Sequence, residues 1–554
     1  MRHGRKDGAA QTPDSPATEL SLELPPDGGA SGDAWTLAWA LGFAALALVA
    51  GIYLFASVPA IRVGVLVGLA ILLPLGLYGY ARWRRLDPAR DMIVPVYAVV
   101  LLLLGLVFAF FFPPGAVPDE GYHFVHAYKY ANVMAPGVEL ESARKEDVRF
   151  MDDDLTFVVS EDAWRNVGRD FSVFASQEGY VPVSSFENFW YKGLDVTSDP
   201  VQTRVFAAIG INIARLFNLS GIMLFYVGRL FNLVVGAALI ILAVKVTPVG
   251  RNVMMCVSLL PITLHVLGSY SYDSTVIGLS FLLLALTLRM LYGEDRIRTR
   301  HMASYLVVAT LLAPCKVVYT ALVLIVLLVP SQRFSSRRTA ILFKALAFAL
   351  PAAAILLTRM VTMVNMLFPG AVKTDAAATS GVSGPGRAVF YSASYILQAP
   401  LGFLKILART FWRQGDDYLL HVLGGSLGWL QGNLVASRRE IVVLFLLAVF
   451  GFVSDPSDKA FPKGRERVLF AVVFALVLFA LEMSMFVGWT PEGNPCIEGV
   501  QGRYFIPVLP LVYLAVRNSS LAVRKDMKLP MLIGFGSFNC LYLARIAFTV
   551  LGGL

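Results

Sequence analysis

The sequence predicts an all-α polytopic membrane protein of about 13 transmembrane helices, and three observations carry this prediction. Of 554 residues, 57% are hydrophobic and only 15% are charged, whereas soluble proteins carry about 25% charged residues. The hydrophobic residues come in blocks of roughly 20, the length that crosses a hydrocarbon core. Alternate turns between these blocks are rich in lysine and arginine. Together the three observations exclude soluble globular, disordered and fibrous proteins.

The beginning of the chain sets the expected orientation. Residues 1–33 contain Pro, Gly, Ser and acidic residues and predict a disordered cytoplasmic tail. Residues 34–80 predict two extra N-terminal transmembrane helices, at 35–56 and 61–80. The turn at 81–90 contains four arginines, and the positive-inside rule places it in the cytoplasm. We therefore expect a multi-pass protein of the cytoplasmic membrane with a cytoplasmic N-terminus.

The span at 92–112 then leads to the longest polar segment, 113–203, which we predict as a large extracytoplasmic first loop. It contains 16 acidic against 7 basic side chains, which gives −9, although the whole chain carries +9. The remainder of the chain therefore carries +18. Because excess basic residues in a membrane protein reflect topology, the net charge does not predict nucleic-acid binding.

Later blocks predict the remaining membrane segments. Predicted spans lie at 222–246, 252–270, 275–291, 341–367, 441–453, 468–487, 504–516 and 530–551. The stretch 304–330 is broken at Lys316 and fits either a hairpin of two short helices or one kinked span. The hairpin is favoured because it returns the basic residues at 333–338 to the cytoplasm. A second external stretch, 368–440, contains two segments typical of interfacial helices, at 396–412 and 418–430.

The first external loop opens with the most informative motif, Pro118-Asp-Glu-Gly-Tyr-His-Phe124. If a helix starts there, Asp119, His123 and His126 share one face, and Glu120 lies beside them. A carboxylate next to an imidazole suits a general base or a divalent metal. The alternative is that Asp119 only caps the helix. Capping, catalysis and metal binding all stay open from the spacing alone.

A second external motif, Gly499-Val-Gln-Gly-Arg-Tyr-Phe505, directly precedes a predicted span. Arg503 carries the planar guanidinium that binds phosphate through two hydrogen bonds. Alternatively, Arg503 and Tyr504 only anchor the chain at the membrane surface.

Three more ionisable side chains fall at or near the external ends of predicted spans, namely Arg229, Asp273 and Lys316. Such groups are costly in a membrane and usually pair or line a cavity. Since our topology places all of them on the same side as Asp119 and Arg503, a shared pocket is one explanation. Polar residues at helix ends would give the same pattern. His265 is expected to be a packed, hydrogen-bonded residue.

These motifs resemble a family of bacterial membrane proteins of unknown function, DUF2142. The Pro118–Phe124 and Gly499–Phe505 segments are the specific anchors, supported by Gly228-Arg-Leu-Phe-Asn232, Asp273 and Lys316. The resemblance extends from about residue 97 to the C-terminus, so residues 81–554 are expected to form one membrane domain that includes both external loops.

The family is similar to the GT-C superfamily of glycosyltransferases, which transfer sugars from polyprenyl-phosphate carriers outside the cytoplasmic membrane. The resemblance implies that Asp119 is the catalytic base, supported by Glu120. It implies that Arg503 holds the carrier phosphate, with Gln501 and Tyr504 next to it in the motif. The resemblance does not decide whether the protein needs Mg²⁺ or Mn²⁺, and His123 is the candidate metal ligand.

The leading hypothesis is a glycosyltransferase that uses a polyprenyl-phosphate-linked sugar as donor and a cell-wall or surface glycan as acceptor. Its expected partners are therefore the donor, the glycan acceptor and membrane lipids, with Arg229, Asp273 and Lys316 contributing to the substrate site. The alternatives are a transporter or flippase for lipid-linked glycans and a non-catalytic component of glycan export. No ATP-binding loop is found in the sequence.

Overall fold

The protein is mainly α-helical throughout the residues that the computed structural model describes. These are residues 93–112, 114–135, 142–144, 180–182, 200–217, 219, 221–293, 296–367, 390–428, 435–451, 462–517 and 527–550, with isolated positions between 64 and 79. The predicted tail at 1–33, the predicted span at 35–56, most of the one at 61–80 and most of the acidic loop lie outside the described residues.

Fifteen α-helices are described, with short 3₁₀ segments between some of them. They are α1 Ile93–Phe111, α2 Glu120–Met134, α3 Val205–Leu216, α4 Gly221–Val246, α5 Arg251–Ser258, α6 Pro261–Leu267, α7 Asp273–Tyr292, α8 Thr299–Cys315, α9 Arg337–Leu367, α10 Ala393–Gln398, α11 Pro400–Leu423, α12 Arg438–Val449, α13 Gly464–Gly488, α14 Leu509–Val516 and α15 Lys528–Val550. A two-stranded antiparallel ladder, β1 Ser142–Arg144 and β2 Tyr180–Pro182, lies within the first loop.

Six of these helices are long and apolar enough to cross a membrane, which confirms that this is a membrane protein. They are α1, α4, α7, α9, α13 and α15, and each matches a predicted span. α7 lies at the centre, because 94% of its apolar window is buried, whereas α9 and α13 are 22% and 28% buried. The low burial of α9 and α13 is what lipid-facing helices require.

Two predicted spans are wrong as single helices. The first, 252–270, is divided into α5 and α6, because Pro261 lacks the backbone N–H that a continuous helix needs. Side chains satisfy the carbonyls freed at the break: Thr263 Oγ1 donates to the Val257 carbonyl at 2.7 Å, and Asn539 Nδ2 donates to that of Leu259 at 3.1 Å. The second, 504–516, begins as a 3₁₀ turn, Gly502–Phe505, before α14.

The stretch 304–330 forms the predicted hairpin. α8 ends at Cys315, and a 3₁₀ segment, Val317–Leu328, follows Lys316. The chain then returns to the start of α8, since Ile297 N–H donates to the Arg333 carbonyl at 3.1 Å. The C-terminal part of α9 contacts the hairpin tip, since Arg359 Nε donates to the Pro314 carbonyl at 2.9 Å.

The predicted interfacial segments at 396–412 and 418–430 are not two helices. One 24-residue helix, α11, runs through the polar residues between them and is preceded by the short α10. α11 ends at Gly424, which adopts the left-handed conformation, with φ 86°.

A short turn between α6 and α7 leads to Asp273, the first residue of α7, and is held by α4. Asn232 Nδ2 donates to the carbonyls of Ser269 and Ser271, at 2.7 and 2.9 Å. α4 and α7 also approach closely at Gly278, where a Cβ atom would lie 2.7 Å from Leu239 Cβ. Small residues permit this close packing of membrane helices, and the packing fixes the position of Asp273.

Gly228 gives a test of this packing. A Cβ atom at Gly228 would lie 1.9 Å from the Tyr270 hydroxyl oxygen, whereas one at Gly415, in the middle of α11, would meet nothing within 4 Å. We expect Gly228→Ala to destabilise the protein by about 1–3 kcal/mol through overpacking. Gly415→Ala should be neutral or stabilise the protein by up to about 1 kcal/mol. Thermal unfolding of both variants in detergent measures the difference, and equal midpoints would contradict the described packing.

Candidate functional site

The two adjacent carboxylates at the start of α2, Asp119 and Glu120, lie in different environments. Asp119 has φ 62°, a left-handed conformation that no other non-glycine residue adopts in the described part of the chain. Its side chain is 47% exposed, whereas Glu120 is fully buried. Asp119 precedes the helix but makes no side-chain hydrogen bond to it. Asp119 therefore occupies the N-cap position, but its side chain does not cap the helix.

Glu120 forms a buried ion pair with Arg229 of α4. Arg229 Nε donates to Glu120 Oε1 at 2.7 Å, and Nη2 donates to Oε2 at 2.5 Å. Glu120 also accepts the backbone N–H groups of Gly115 and Tyr270, at 3.0 and 3.1 Å. Arg229 Nη1 donates to the carbonyls of Ala109 and Phe112. The pair thus joins the end of α1, the start of α2, α4 and the turn before α7.

Four charged side chains of alternating sign form the charged cluster, defined as Asp119, Arg503, Asp273 and Lys316. Arg503 Nη2 lies 2.5 Å from Asp119 Oδ2, and Arg503 Nε lies 3.7 Å from Asp273 Oδ2. Lys316 Nζ lies 3.4 Å from the other Asp273 oxygen, Oδ1. Residues separated by up to 384 positions therefore meet in one row.

Different elements present these four side chains at one end of the helix bundle. Asp273 is the first residue of α7, and Lys316 lies at the hairpin tip. Arg503 lies in the 3₁₀ turn before α14 and is also held by the Pro118 carbonyl, 3.2 Å from Nη1. The Tyr319 hydroxyl donates to the Tyr504 carbonyl at 2.7 Å, which ties the hairpin to the turn that carries Arg503.

Aromatic rings surround the two cations of the cluster. Lys316 Nζ lies 3.6 Å from the centre of the Tyr504 ring and 5.6 Å from that of Tyr272. The guanidinium of Arg204 also lies near Tyr272, 5.3 Å from the ring centre. Such contacts stabilise a cation that has lost water.

Both cations remain charged. Burial lowers the pKa of Lys316, but the carboxylate of Asp273 and nearby tyrosines raise it more, so the net pKa is raised. Burial likewise lowers the pKa of Arg503, and Tyr504, Asp273 and Asp119 together outweigh it, so that pKa is raised as well. The cluster is therefore a site of fixed positive charge balanced by two carboxylates.

A small recess is lined in part by Arg503. Its walls come from the segment before Asp119, from α6, from the end of α11 and from the turn before α14, and they include Pro118, His265, His421, Gln501 and Arg503. The side chain of His265 is buried, and its Nε2 accepts the Gly428 N–H at 3.1 Å. His421 is half-buried; burial lowers its pKa, although Asp417 acts in the opposite direction. The expectation that His265 is packed and hydrogen-bonded is confirmed.

The predicted metal ligand has a different environment. His123 is buried edge-on against Tyr272, with ring centres 5.1 Å apart, and His126 packs on Tyr122 at 4.3 Å. In the part of the chain that the structure describes, no group of three or more His, Cys, Asp or Glu side chains could hold a metal ion. Since the two histidines pack on aromatic rings, the described geometry offers no support for metal binding there.

The structure brings together most of the predicted site residues. Asp119, Arg503, Asp273, Lys316 and Tyr504 meet in or beside the charged cluster, and Gln501 lines the recess. Glu120 and Arg229 are not part of the charged cluster and form a separate buried ion pair.

Sequence reasoning missed Arg204 and His421, whereas Tyr272 belongs to the Tyr272-Asp273 pair that opens a predicted span. Arg204 and His421 carry no local signal, because their neighbours in space come from other helices.

The buried ion pair predicts a large difference between two Glu→Gln substitutions. Glu120→Gln leaves Arg229 charged, buried and without its counter-ion, which costs about 3–5 kcal/mol. Glu440→Gln alters the partly exposed pair with Arg545, in which the side chains are 18% and 32% exposed. That change should cost about 0–1 kcal/mol, because Gln also preserves the helix cap that Glu440 makes with Ser437. Thermal unfolding in detergent compares the two, and similar losses would contradict a structural role for Glu120.

Comparison with known proteins identifies a family. Residues 203–512, more than half of the chain, match the sequence profile of a family described as predicted membrane proteins, DUF2142. The matched segment includes Arg229, Asp273, Lys316 and Arg503, while Asp119 and Glu120 lie before it. No curated protein and no solved structure matches the chain.

Proposed function

This chain belongs to the DUF2142 family of predicted membrane proteins, and we propose that it is a GT-C-like glycosyltransferase. It would transfer a sugar from a polyprenyl-phosphate carrier to a cell-wall or surface glycan at the outer face of the cytoplasmic membrane. One observation carries the proposal: a half-exposed carboxylate, Asp119, is bonded to a buried arginine, Arg503, at one end of a membrane helix bundle.

The charged cluster suits a lipid-linked phosphate. Arg503 and Lys316 both keep their charge and share Asp273 between them. A guanidinium binds phosphate oxygens through two parallel hydrogen bonds, and an ammonium beside it adds a second positive charge. A phosphate at Arg503 would compete with Asp119 for the guanidinium.

That competition gives Asp119 its proposed catalytic role. Once released from Arg503, the carboxylate takes the proton of an acceptor hydroxyl. The acceptor oxygen then forms a bond to the anomeric carbon, and the bond from that carbon to the phosphate oxygen breaks. The electron pair stays on the phosphate, where Arg503 and Lys316 stabilise the negative charge. A single displacement of this kind inverts the anomeric centre.

Glu120 would support this reaction by position. Its carboxylate is fully used by Arg229 and two backbone N–H groups, so it does not face the acceptor. Through these bonds it fixes both the preceding residue, Asp119, and the turn that leads to Asp273. We therefore assign Glu120 and Arg229 a positioning role.

Transport of lipid-linked glycans is a second candidate, favoured by the two broken segments α5–α6 and α8–3₁₀. Transporters use broken helices near the bilayer midplane to bind substrates. Here the charged side chains gather at one end of the bundle instead, which favours chemistry at the membrane surface. The third candidate is a non-catalytic component of glycan export.

Asp119→Asn tests the catalytic proposal. Asparagine keeps the size and tolerates the left-handed conformation, so the protein should reach normal levels in the membrane. Loss of the base should reduce sugar transfer from a polyprenyl-phosphate donor by about 10²–10⁴-fold. The measurement is incorporation of labelled sugar by protein in proteoliposomes.

The matched control for that experiment is Asp416→Asn, which changes an exposed aspartate on α11 and should leave transfer unchanged. Full activity of Asp119→Asn would sink the assignment of Asp119 as base. A wild-type protein that moves lipid-linked glycan across the bilayer without transferring sugar would favour transport.

Arg503→Ala tests the phosphate site. Because the guanidinium is the proposed phosphate ligand, the variant should bind polyprenyl phosphate at least about tenfold more weakly, the effect of losing charge-assisted hydrogen bonds. Arg503→Lys should recover only part of the affinity, since an ammonium lacks the planar fork. Binding is measured with protein in nanodiscs, together with the unfolding midpoint. Unfolding without any selective loss of binding would indicate an anchoring role.

A further inference from the structure

Helix α11 carries an apolar stripe that the described part of the chain leaves uncovered. Among its 24 residues, Phe403, Ile406 and Thr410 are buried against the bundle. On the opposite side of the helix, four exposed side chains share one face at helical spacing, namely Leu401, Leu404, Ala408 and Trp412. Leu401 is 80% exposed and Trp412 is 90% exposed. Such a contiguous apolar face indicates a surface that contacts lipid or another molecule.

Three cations lie along the helix beside this stripe and form the basic row, defined as Lys405, Arg409 and Arg413. They are four residues apart, so they line one side of the helix. Lys405 and Arg413 are exposed, and Arg409 is partly buried. Among the described residues, including the nearby Asp416 and Asp417, none forms an ion pair or a hydrogen bond with these three side chains. Their charges are therefore available to an anionic ligand outside the protein.

α11 crosses α13 and does not run along it. The Phe403 ring contacts α13 at Phe479 and Phe486, with ring centres 6.1 and 4.9 Å away. Fifteen residues later, the Tyr418 side chain lies next to Glu482, which is between these two phenylalanines on α13. Fifteen residues of α-helix are about 22 Å long, whereas the stretch from Phe479 to Phe486 is about 10 Å long. Both contacts are possible only if α11 runs at a steep angle to α13, so α11 lies along the surface of a membrane that α13 spans.

The neighbours of α11 show where on the bundle it lies. α13 has the low burial of a lipid-facing helix, and α12, which also contacts α11, exposes Val442, Phe445 and Leu446. The end of α11 contacts the turn that carries Arg503, since a Cβ atom at Gly502 would lie 2.5 Å from His421 Cβ. α11 is therefore packed beside lipid-facing helices at the end of the bundle that carries the charged cluster.

We propose that α11 lies in the headgroup layer of the bilayer and binds anionic phospholipids. The basic row contacts their phosphates, and Trp412 and the leucines of the stripe lie at the boundary of the acyl chains. A bilayer surface offers phosphate beside hydrocarbon, which matches both halves of this face. A second copy of the chain matches it less well, because two copies of the same face would bring like charges together. The proposal concerns contact with the bilayer and does not depend on sugar transfer.

The depth of residue 412 tests the apolar half of this face. Trp412→Cys carries a nitroxide in the full-length protein, reconstituted in vesicles of phosphatidylcholine mixed with phosphatidylglycerol, and the four native cysteines are buried. The nitroxide should be more accessible to dissolved oxygen than to a water-soluble nickel chelate. The reverse should hold for the control, Glu492→Cys, in an exposed loop. Preference for the chelate at residue 412 would place α11 in water, and protection from both reagents would place protein on it; either result overturns the proposal.

The lipids beside α11 test the basic row. A fluorophore on Trp412→Cys is quenched by phosphatidylglycerol or phosphatidylcholine with a nitroxide on the acyl chain, and the ratio of the two measures the local lipid preference. The protein should prefer phosphatidylglycerol, and the combined change Lys405→Gln, Arg409→Gln and Arg413→Gln should lower the preference at least about threefold, because each basic side chain attracts anionic lipid.

The matched control keeps the three charges through Lys405→Arg, Arg409→Lys and Arg413→Lys, and it should keep the preference. All variants should keep the unfolding midpoint, since the basic row makes no contacts that the fold needs. A preference that glutamine leaves unchanged, or that both combined variants lose equally, would show that the basic row does not bind lipid phosphate.

Discussion

The buried pair of Glu120 and Arg229 is the interaction on which the arrangement of the site depends. Two opposite charges at 0% exposure require each other, since either one alone would be an uncompensated charge in a low-dielectric interior. Their remaining hydrogen bonds go to the backbone at the end of α1, before α2 and before α7. Three chain segments that carry or flank functional side chains are thereby tied to one residue of α4.

Beside this pair, the charged cluster is exposed chiefly at Asp119, whose side chain is 47% exposed, whereas those of Arg503 and Asp273 are buried. The two neighbouring carboxylates thus differ in environment. The side chain of Glu120 is buried and fully hydrogen-bonded, whereas that of Asp119 is half exposed. The left-handed backbone at Asp119 produces this difference, because it turns the chain just before α2 begins. Lys316 and Arg503 are meanwhile held by aromatic rings and by the Tyr319–Tyr504 hydrogen bond. These contacts restrict the movement of both side chains.

The long helices could be predicted from the sequence, as could the gathering of charged side chains at one end of the bundle, because both follow from local hydropathy and loop charge. The sequence did not predict the break at Pro261, although proline is a local signal for one, because the break is tolerated only where distant side chains satisfy the freed carbonyls, as Asn539 does for Leu259, 280 positions away. Nor did it predict that Glu120 pairs with Arg229 and Asp119 with Arg503. Adjacent carboxylates look alike in a sequence, and only the backbone conformation at Asp119 separates them. His421 was missed because its proximity to Arg503 depends on the contact of α11 with Gly502.

The left-handed conformation of Asp119 makes the set of tolerated residues at this position informative in itself. Only glycine, asparagine and aspartate adopt that conformation readily, so the backbone and the proposed reaction would impose separate filters. Glycine would satisfy the backbone without offering any functional group, whereas glutamate would keep the charge on a strained backbone. A saturation library at this single position, scored once for folded protein and once for cell-envelope phenotype, would therefore separate what the fold demands from what the chemistry demands.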